Sequence, residues 1–93
     1  MQIKHLIVLS IAGIDPSGGA GLLADVKTIS SLGGYATGVV TAATAQNTQG
    51  VFGVIPIPTD FVKKQIDVLF EDVRIDSVKI GMLFDSNLIK GVA

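Results

Sequence analysis

The pattern of apolar and polar positions predicts strands and helices in alternation. His5–Gly13 is apolar on both alternating faces, which is typical of a central parallel strand covered by helices on both sides. Leu22–Leu32 then shows helical spacing, which puts Leu22 and Leu32 among the residues that face the sheet. The helix ends at a pair of glycines, a common helix C-terminal signal. Gly38–Ala45 is apolar again and predicts a second buried strand.

The second half of the chain continues the alternation. Gln46–Gly50 predicts a turn, and Val51–Ile57 a short strand that its two nearby prolines place at a sheet edge or in a loop. A helix with an apolar stripe along one side follows the prolines. Ser77–Met82 predicts a third buried strand, and Asp85 or Ser86 begins a last helix.

This order predicts an α/β fold with a mainly parallel sheet and right-handed crossovers. Three buried strands make a thin sheet whose outer edges are apolar, and the final residues carry no helix stop signal. The pattern therefore indicates the first part of a larger domain. We expect the isolated chain to be unstable or to self-associate.

The composition limits the kinds of partner and site that this chain is expected to have. The chain is 48% hydrophobic and 16% charged with a net charge of −1, which excludes a disordered chain and favours neither a nucleic acid nor an anionic membrane as partner. It has no cysteine, so disulfides and thiolate metal sites are excluded, and a reducing, cytoplasmic location is expected. Lys4 and the apolar run after it loosely resemble a secretory signal, but the run is short and a buried strand is favoured.

A glycine-rich turn, Gly13–Gly21, joins the first strand to the first helix. Glycines let the backbone approach a ligand closely, and a helix N-terminus offers free N–H groups to it. The turn lacks both the Gly-Lys-Ser/Thr ending of a Walker A loop and the Gly-x-Gly-x-x-Gly spacing of dinucleotide-binding folds. A tight turn without a ligand is the simpler interpretation of this motif on its own.

Five residues are predicted to meet at the carboxyl edge of the sheet. The helical wheel puts Asp25 in the sheet-facing arc, where either the helix N–H groups or a polar ligand must stabilise its carboxylate. Strand alternation puts Thr44 and Gln46 on one face at a strand end, although a glutamine can also satisfy the adjacent turn. Met82 reaches the same edge, although methionine is commonly core filler. With Gly13, these residues predict a ligand pocket.

Other charged residues give weaker signals. The lysines show no clustering, and most are interpreted as solvent-facing. Lys79 alternates with two apolar neighbours and is interpreted as an edge or interface residue. Asp15 precedes a proline, a pattern that shapes a turn.

Four ordered motifs resemble the hydroxymethylpyrimidine/phosphomethylpyrimidine kinases of thiamine biosynthesis. The motifs are Ala12–Gly21, Ala24–Thr28, Thr41–Thr48 and Val78–Leu83. The resemblance covers essentially the whole chain. It implies a three-layer α/β/α, ribokinase-like fold and ATP-dependent phosphorylation of a pyrimidine hydroxymethyl group, and then of the resulting monophosphate.

The resemblance also implies roles for residues and cofactors. Gly13, Asp25, Thr44, Gln46 and Met82 would line the pyrimidine pocket, with Asp25 and Gln46 reading the polar groups of the ring. ATP and Mg²⁺ would be bound by the complete protein, which is expected to be a homodimer. The family's Gly-Thr-Gly-Cys anion hole and ATP site lie in a second half that this sequence lacks. Residues 1–93 are therefore expected to be the N-terminal, substrate-binding portion of one kinase domain, without catalytic residues and inactive alone.

Two positions depart from the resemblance. Ile14 stands where the family usually has serine or threonine, and Leu23 where it usually has glutamine. The loss of a hydroxyl beside the pocket would alter substrate preference. Two alternatives stay open: a pyridoxal kinase of the same superfamily, and a non-catalytic product, which would be either the product of a truncated gene or a pyrimidine-binding module.

Overall fold

The computed structural model describes residues 6–81. Over this range the elements are β1 (Ile7–Ile14), α1 (Gly21–Ser31), β2 (Tyr35–Asn47), β3 (Gly50–Pro56), α2 (Thr59–Asp72) and β4 (Ser77–Ile80). The predicted alternation of strands and helices is confirmed. The prediction that the third apolar run is a buried strand is wrong for the described residues, because β4 lies at the edge of the sheet and all four of its residues are exposed. Met82 and the helix predicted from Asp85 or Ser86 lie outside the described residues. Between residues 6 and 81, no helix is long and apolar enough to span a bilayer.

The strands form one sheet in the order β3-β2-β1-β4. β1 pairs in parallel with both β2 and β4, so the first apolar run is the central parallel strand that its two apolar faces predicted. β2 and β3 form an antiparallel hairpin, and β3 lies at the edge, as its flanking prolines indicated. The sheet is therefore mainly parallel with one antiparallel edge.

The hairpin is tighter than the predicted turn. β2 continues through Gln46 and Asn47, which pair with Val51 and Gly50, so Thr48 and Gln49 alone form the loop. The Asn47 side-chain oxygen accepts a hydrogen bond of 2.8 Å from the Gln49 backbone N–H. This local bond closes the loop in fewer residues than the turn predicted over Gln46–Gly50.

Alternate residues of the central strand face different helices. Leu9 and Ile11 pack with Val39 of β2 and Val62 of α2 in an apolar core whose members are at most 3% exposed. Ser10 points the other way, because its hydroxyl donates a hydrogen bond of 2.8 Å to Asp25 of α1. One helix thus covers each face of the sheet, which gives the three-layer α/β/α arrangement in the described residues.

The first helix contacts the sheet mainly through its N-terminal half. Leu22 is 7% exposed and packs closely on Gly38, where an added Cβ would lie 2.7 Å from a Leu22 methyl. Leu32, predicted to face the sheet, is 82% exposed. That part of the prediction is wrong because α1 ends at Ser31 and Gly33, with φ of +85°, turns the chain away.

The second helix also completes a gap in the sheet edge. β3 pairs with β2 only from Ala42 onwards, so Val40 has no β3 partner. The Gln65 side chain of α2 replaces it, accepting a hydrogen bond of 3.0 Å from the Val40 N–H and donating one of 2.9 Å to the Val40 carbonyl. These two bonds satisfy backbone groups that would otherwise be left unpaired, and they attach α2 to β2.

Candidate functional site

A cavity of about 370 Å³ lies beside the carboxyl end of β1 and the first residues of α1. Four of the five predicted site residues line it: Gly13, Asp25, Thr44 and Gln46. The fifth, Met82, lies outside the described residues. The carboxyl edge of a parallel sheet is where open α/β folds place ligands, and this volume is within the range of small-molecule pockets.

The glycine turn forms the floor of the cavity by folding back on β1. Gly21 has φ of +64° and makes an isolated antiparallel bridge with Ile14. A Cβ on Gly21 would clash with the carbonyl oxygen of Gly13. The two glycines therefore permit a close contact of backbone with backbone, and the first residue of α1 is held directly against the end of the strand.

Asp15 organises the turn from inside. Its carboxylate accepts hydrogen bonds of 2.7 Å from the Ser17 hydroxyl and 2.9 Å from the Ser17 N–H. The bond from the hydroxyl lowers the pKa of Asp15, burial opposes it, and backbone hydrogen bonds from Ser17, Gly19 and Ala20 add to the lowering, so the pKa lies below the usual 3.8. The turn-shaping role is confirmed. Because this carboxylate already accepts hydrogen bonds from the backbone amides that precede α1, the turn is not an open phosphate cradle.

Asp25 is held by two neighbouring strands. One carboxylate oxygen accepts the 2.8 Å hydrogen bond from Ser10 of β1, and the other accepts a hydrogen bond and ion pair from Lys79 of β4. Burial raises the pKa of Asp25, but the Lys79 and Ser10 hydrogen bonds and the Lys79 charge outweigh it, so the pKa lies below 3.8. The helix N–H groups are not its partners, because α1 begins at Gly21 and leaves Asp25 beyond the first turn.

Lys79 is the site residue that the sequence interpretation missed. It does lie on the edge strand of the described sheet, as expected, but its ammonium group reaches the cavity. The available signal was strand alternation: if Val78 and Ile80 face one side, Lys79 faces the other. The register pairs Lys79 with Ser10, which places both on the α1 face.

Thr44 and Gln46 point the same way, as alternation predicted. The Thr44 hydroxyl donates a hydrogen bond of 2.7 Å to the Ile14 carbonyl and lies 3.2 Å from the Gln46 amide oxygen. A hydroxyl has one proton, so Ile14 and Gln46 cannot both receive it. The Gln46 amide nitrogen has no partner among residues 6–81, which leaves a donor available beside the cavity.

The cavity therefore combines a fixed acceptor, an amide and an apolar wall. The acceptor is Asp25, the amide belongs to Gln46, and Val51 and Val54 of β3 contribute apolar surface. Within the described part of the chain, no three His, Cys, Asp or Glu side chains cluster in a way that could hold a metal. These groups suit a flat, polar heterocycle better than a metal ion or a phosphate chain.

Comparison with known proteins decides the family. The family model for phosphomethylpyrimidine kinase matches residues 15–93. The chain is 54% identical over 91 residues to the hydroxymethylpyrimidine/phosphomethylpyrimidine kinase of Escherichia coli strain K12, which covers 98% of this chain and 34% of that protein. The chain belongs to the phosphomethylpyrimidine kinase family. It spans about a third of the length of the curated relatives that it matches first.

Solved structures agree with this family and show its ribokinase-like fold. The phosphomethylpyrimidine kinase of Clostridium difficile 630 superposes with a TM-score of 0.89 at 48% identity, over 94% of this chain and 38% of that one. A Staphylococcus aureus pyridoxal kinase in complex with pyridoxal superposes with a TM-score of 0.84 at 34% identity, over 96% and 34% of the two chains. The predicted fold class and family resemblance are both confirmed.

Proposed function

We propose that this chain supplies the pyrimidine pocket of a kinase of thiamine biosynthesis. The reaction is ATP-dependent phosphorylation of 4-amino-5-hydroxymethyl-2-methylpyrimidine, followed by phosphorylation of its monophosphate. The observation that carries this proposal is the convergence of Gly13, Asp25, Thr44 and Gln46 on one cavity in a chain of the phosphomethylpyrimidine kinase family. Residues 1–93 would then be the substrate-binding portion of one kinase domain.

The chemistry of the cavity supports an aminopyrimidine. Such a ring carries an amine and a hydroxyl as donors and ring nitrogens as acceptors. The Asp25 carboxylate can accept from a donor, and the Gln46 amide can both donate and accept. Val51 and Val54 offer apolar surface to the ring faces. Met82 is proposed to contribute further apolar surface.

We propose that ATP and Mg²⁺ bind outside residues 6–81. Phosphoryl transfer needs a nucleotide cradle and a metal that neutralises developing charge. The amides of the glycine turn are already hydrogen-bonded to Asp15, and the described residues hold no acidic cluster for a metal. The described residues therefore do not fit these groups, and their part in the reaction is to bind and orient the pyrimidine. The intact protein is proposed to be a cytoplasmic homodimer.

Steady-state kinetics on the intact protein test the proposal. Asp25→Ala is expected to lower kcat/KM for the pyrimidine by about 10- to 100-fold, because a hydrogen bond to a charged group contributes about 1.5–3 kcal/mol. Glu71→Gln is the matched control, since Glu71 is exposed on α2, across the sheet from the cavity. Equal kcat/KM for wild type and Asp25→Ala would contradict the proposal.

A second candidate is phosphorylation of pyridoxal. The superposition on the Staphylococcus aureus pyridoxal kinase, at 34% identity over 96% of this chain, favours it as an alternative. Both substrates are hydroxymethyl heteroaromatics, so the same pocket chemistry applies to each. We expect kcat/KM to be higher for the pyrimidine than for pyridoxal, and the reverse order would assign the chain to the second activity.

A further inference from the structure

The contact between Lys79 and Asp25 joins elements that are distant in sequence. Asp25 lies on α1 and Lys79 on β4, 54 positions later in the chain. The Lys79 side chain is 60% exposed, whereas that of Asp25 is 12% exposed. An ion pair at such an exposed lysine contributes little to stability, typically below about 1 kcal/mol. The small stability gained from this ion pair therefore does not explain why Lys79 directs its charge at a nearly buried carboxylate.

The two partners of Asp25 fix the orientation of its carboxylate. Ser10 is fully buried and donates to one oxygen at 2.8 Å, while Lys79 donates to the other. A carboxylate has about four lone-pair positions, so two remain after these bonds are made. Asp25 lines the cavity, where those positions can accept from a ligand.

Resting on the proposed function, we propose that Lys79 is a positioning residue of the pyrimidine pocket. It acts through Asp25, holding that carboxylate ionised and oriented as an acceptor for a donor group of the aminopyrimidine, its amine or its hydroxymethyl O–H. The pocket is then selective for ligands that present a donor at this point. An analogue with an acceptor there meets a carboxylate that cannot donate to it.

The surrounding charges are compatible with this role. Besides Asp25 and Lys79, Asp15 of the turn is the one titratable group lining the described cavity. Its carboxylate is bonded to Ser17 and the turn amides, so it is not a competing partner of Lys79. The β1 and β2 groups beside the cavity, Ser10, Thr44 and Gln46, do not titrate. Removal of Lys79 therefore leaves burial to dominate the ionisation of Asp25, whose pKa must rise.

The test combines a carboxyl titration with enzyme kinetics on the intact protein. In Lys79→Met, the carbon NMR titration of the ligand-free protein should show a higher pKa for Asp25 and no change for Asp15. At pH 7, KM for the pyrimidine should rise about tenfold while kcat stays within about threefold. The acid limb of 1/KM against pH should move to higher pH together with the Asp25 pKa. Lys79→Arg should restore the wild-type Asp25 pKa and KM, and Lys63→Met on α2 should change neither quantity.

A purely structural salt bridge gives a different result. Lys79→Met would then lower the unfolding midpoint and raise the Asp25 pKa, because any stabilising salt bridge lowers the pKa of its carboxylate. KM and its pH profile would stay as in wild type, and that result overturns the proposal. A fall in kcat at constant KM also overturns it, because Lys79 would then act on the reacting atoms. If Lys79→Met does not fold, Lys79→Gln replaces it: an amide keeps the donor and removes the charge, so the Asp25 pKa must still rise.

The proposed function can fail separately. If the Asp25 titration responds to Lys79→Met but the wild-type protein neither binds nor phosphorylates the pyrimidine, the hold of Lys79 on Asp25 is supported and the choice of substrate is overturned. If the pyrimidine is phosphorylated and Asp25 titrates identically in both proteins, the substrate is supported and the positioning role is overturned.

Discussion

The two faces of the sheet use the same strands for different purposes. On the α2 face, Leu9 and Val39 are 0% and 1% exposed and pack in an apolar core. On the α1 face, the residue next to Leu9 is Ser10, equally buried but hydrogen-bonded to Asp25. The step from Leu9 to Ser10 therefore passes from a residue that stabilises by burial to one that organises a polar site.

This difference explains how so small a chain holds a polar cavity. A buried carboxylate is costly unless it is paired, and Asp25 has both an ion pair and a hydrogen bond. The paired groups on the α1 face add little net stability, so the apolar face must supply most of it. Substitutions on the two faces should consequently separate folding from binding.

The largest effect is expected on the apolar face. Leu9→Ala should lower the unfolding free energy of the intact protein by about 3 kcal/mol, because the side chain is fully buried and its loss leaves a cavity. Urea denaturation measures it. Leu32→Ala is the control: Leu32 is 82% exposed, and the change should stay within about 0.5 kcal/mol. Similar losses from the two substitutions would show that the α2 face is not the stabilising one.

The next effect is expected at the cavity floor. Gly21→Ala places a methyl against the Gly13 carbonyl at φ of +64°, so the turn must move away from β1. Pyrimidine binding, measured by calorimetry on the intact protein, should weaken at least about tenfold, equivalent to 1.4 kcal/mol. Gly33→Ala has comparable backbone strain at φ of +85° but no atom within 4 Å of the new methyl. It should cost about 1 kcal/mol of stability and leave binding unchanged. Equal binding losses would refute the backbone contact as the cause.

Sequence periodicity predicted the fold well because the core strands have a regular pattern of apolar residues. His5–Gly13 and Gly38–Ala45 alternate between two buried faces, and that pattern identifies central parallel strands before any contact is known. The same alternation correctly put Thr44 and Gln46 on one face. Short-range periodicity is enough where neighbours along the chain decide the direction of each side chain.

Interactions between distant elements could not be predicted in this way. The Lys79 contact with Asp25 depends on β4 pairing with β1 in a register that no local pattern encodes. The start of α1 at Gly21 likewise depends on a contact with Gly13 across the turn. The extension of β2 to Asn47 depends on a hairpin bond to Gln49. In each case, a tertiary or turn contact changed what propensity alone indicated.

The smallest effects are expected at two threonines that lie on opposite faces of β2. Thr41 is fully buried on the apolar face, and its hydroxyl has no hydrogen-bond partner in the stretch from residue 6 to 81. Thr41→Val should therefore raise the unfolding free energy by about 1 kcal/mol, because it removes an unsatisfied buried hydroxyl at nearly constant volume.

Thr44 is the matched case on the cavity face, where its hydroxyl donates to the Ile14 carbonyl at 2.7 Å. Thr44→Val should lower stability by about 1 kcal/mol and weaken pyrimidine binding. Urea denaturation and calorimetry of both variants measure these changes, and shifts of the same sign in the two would mean that the faces do not differ in how they hold polar groups.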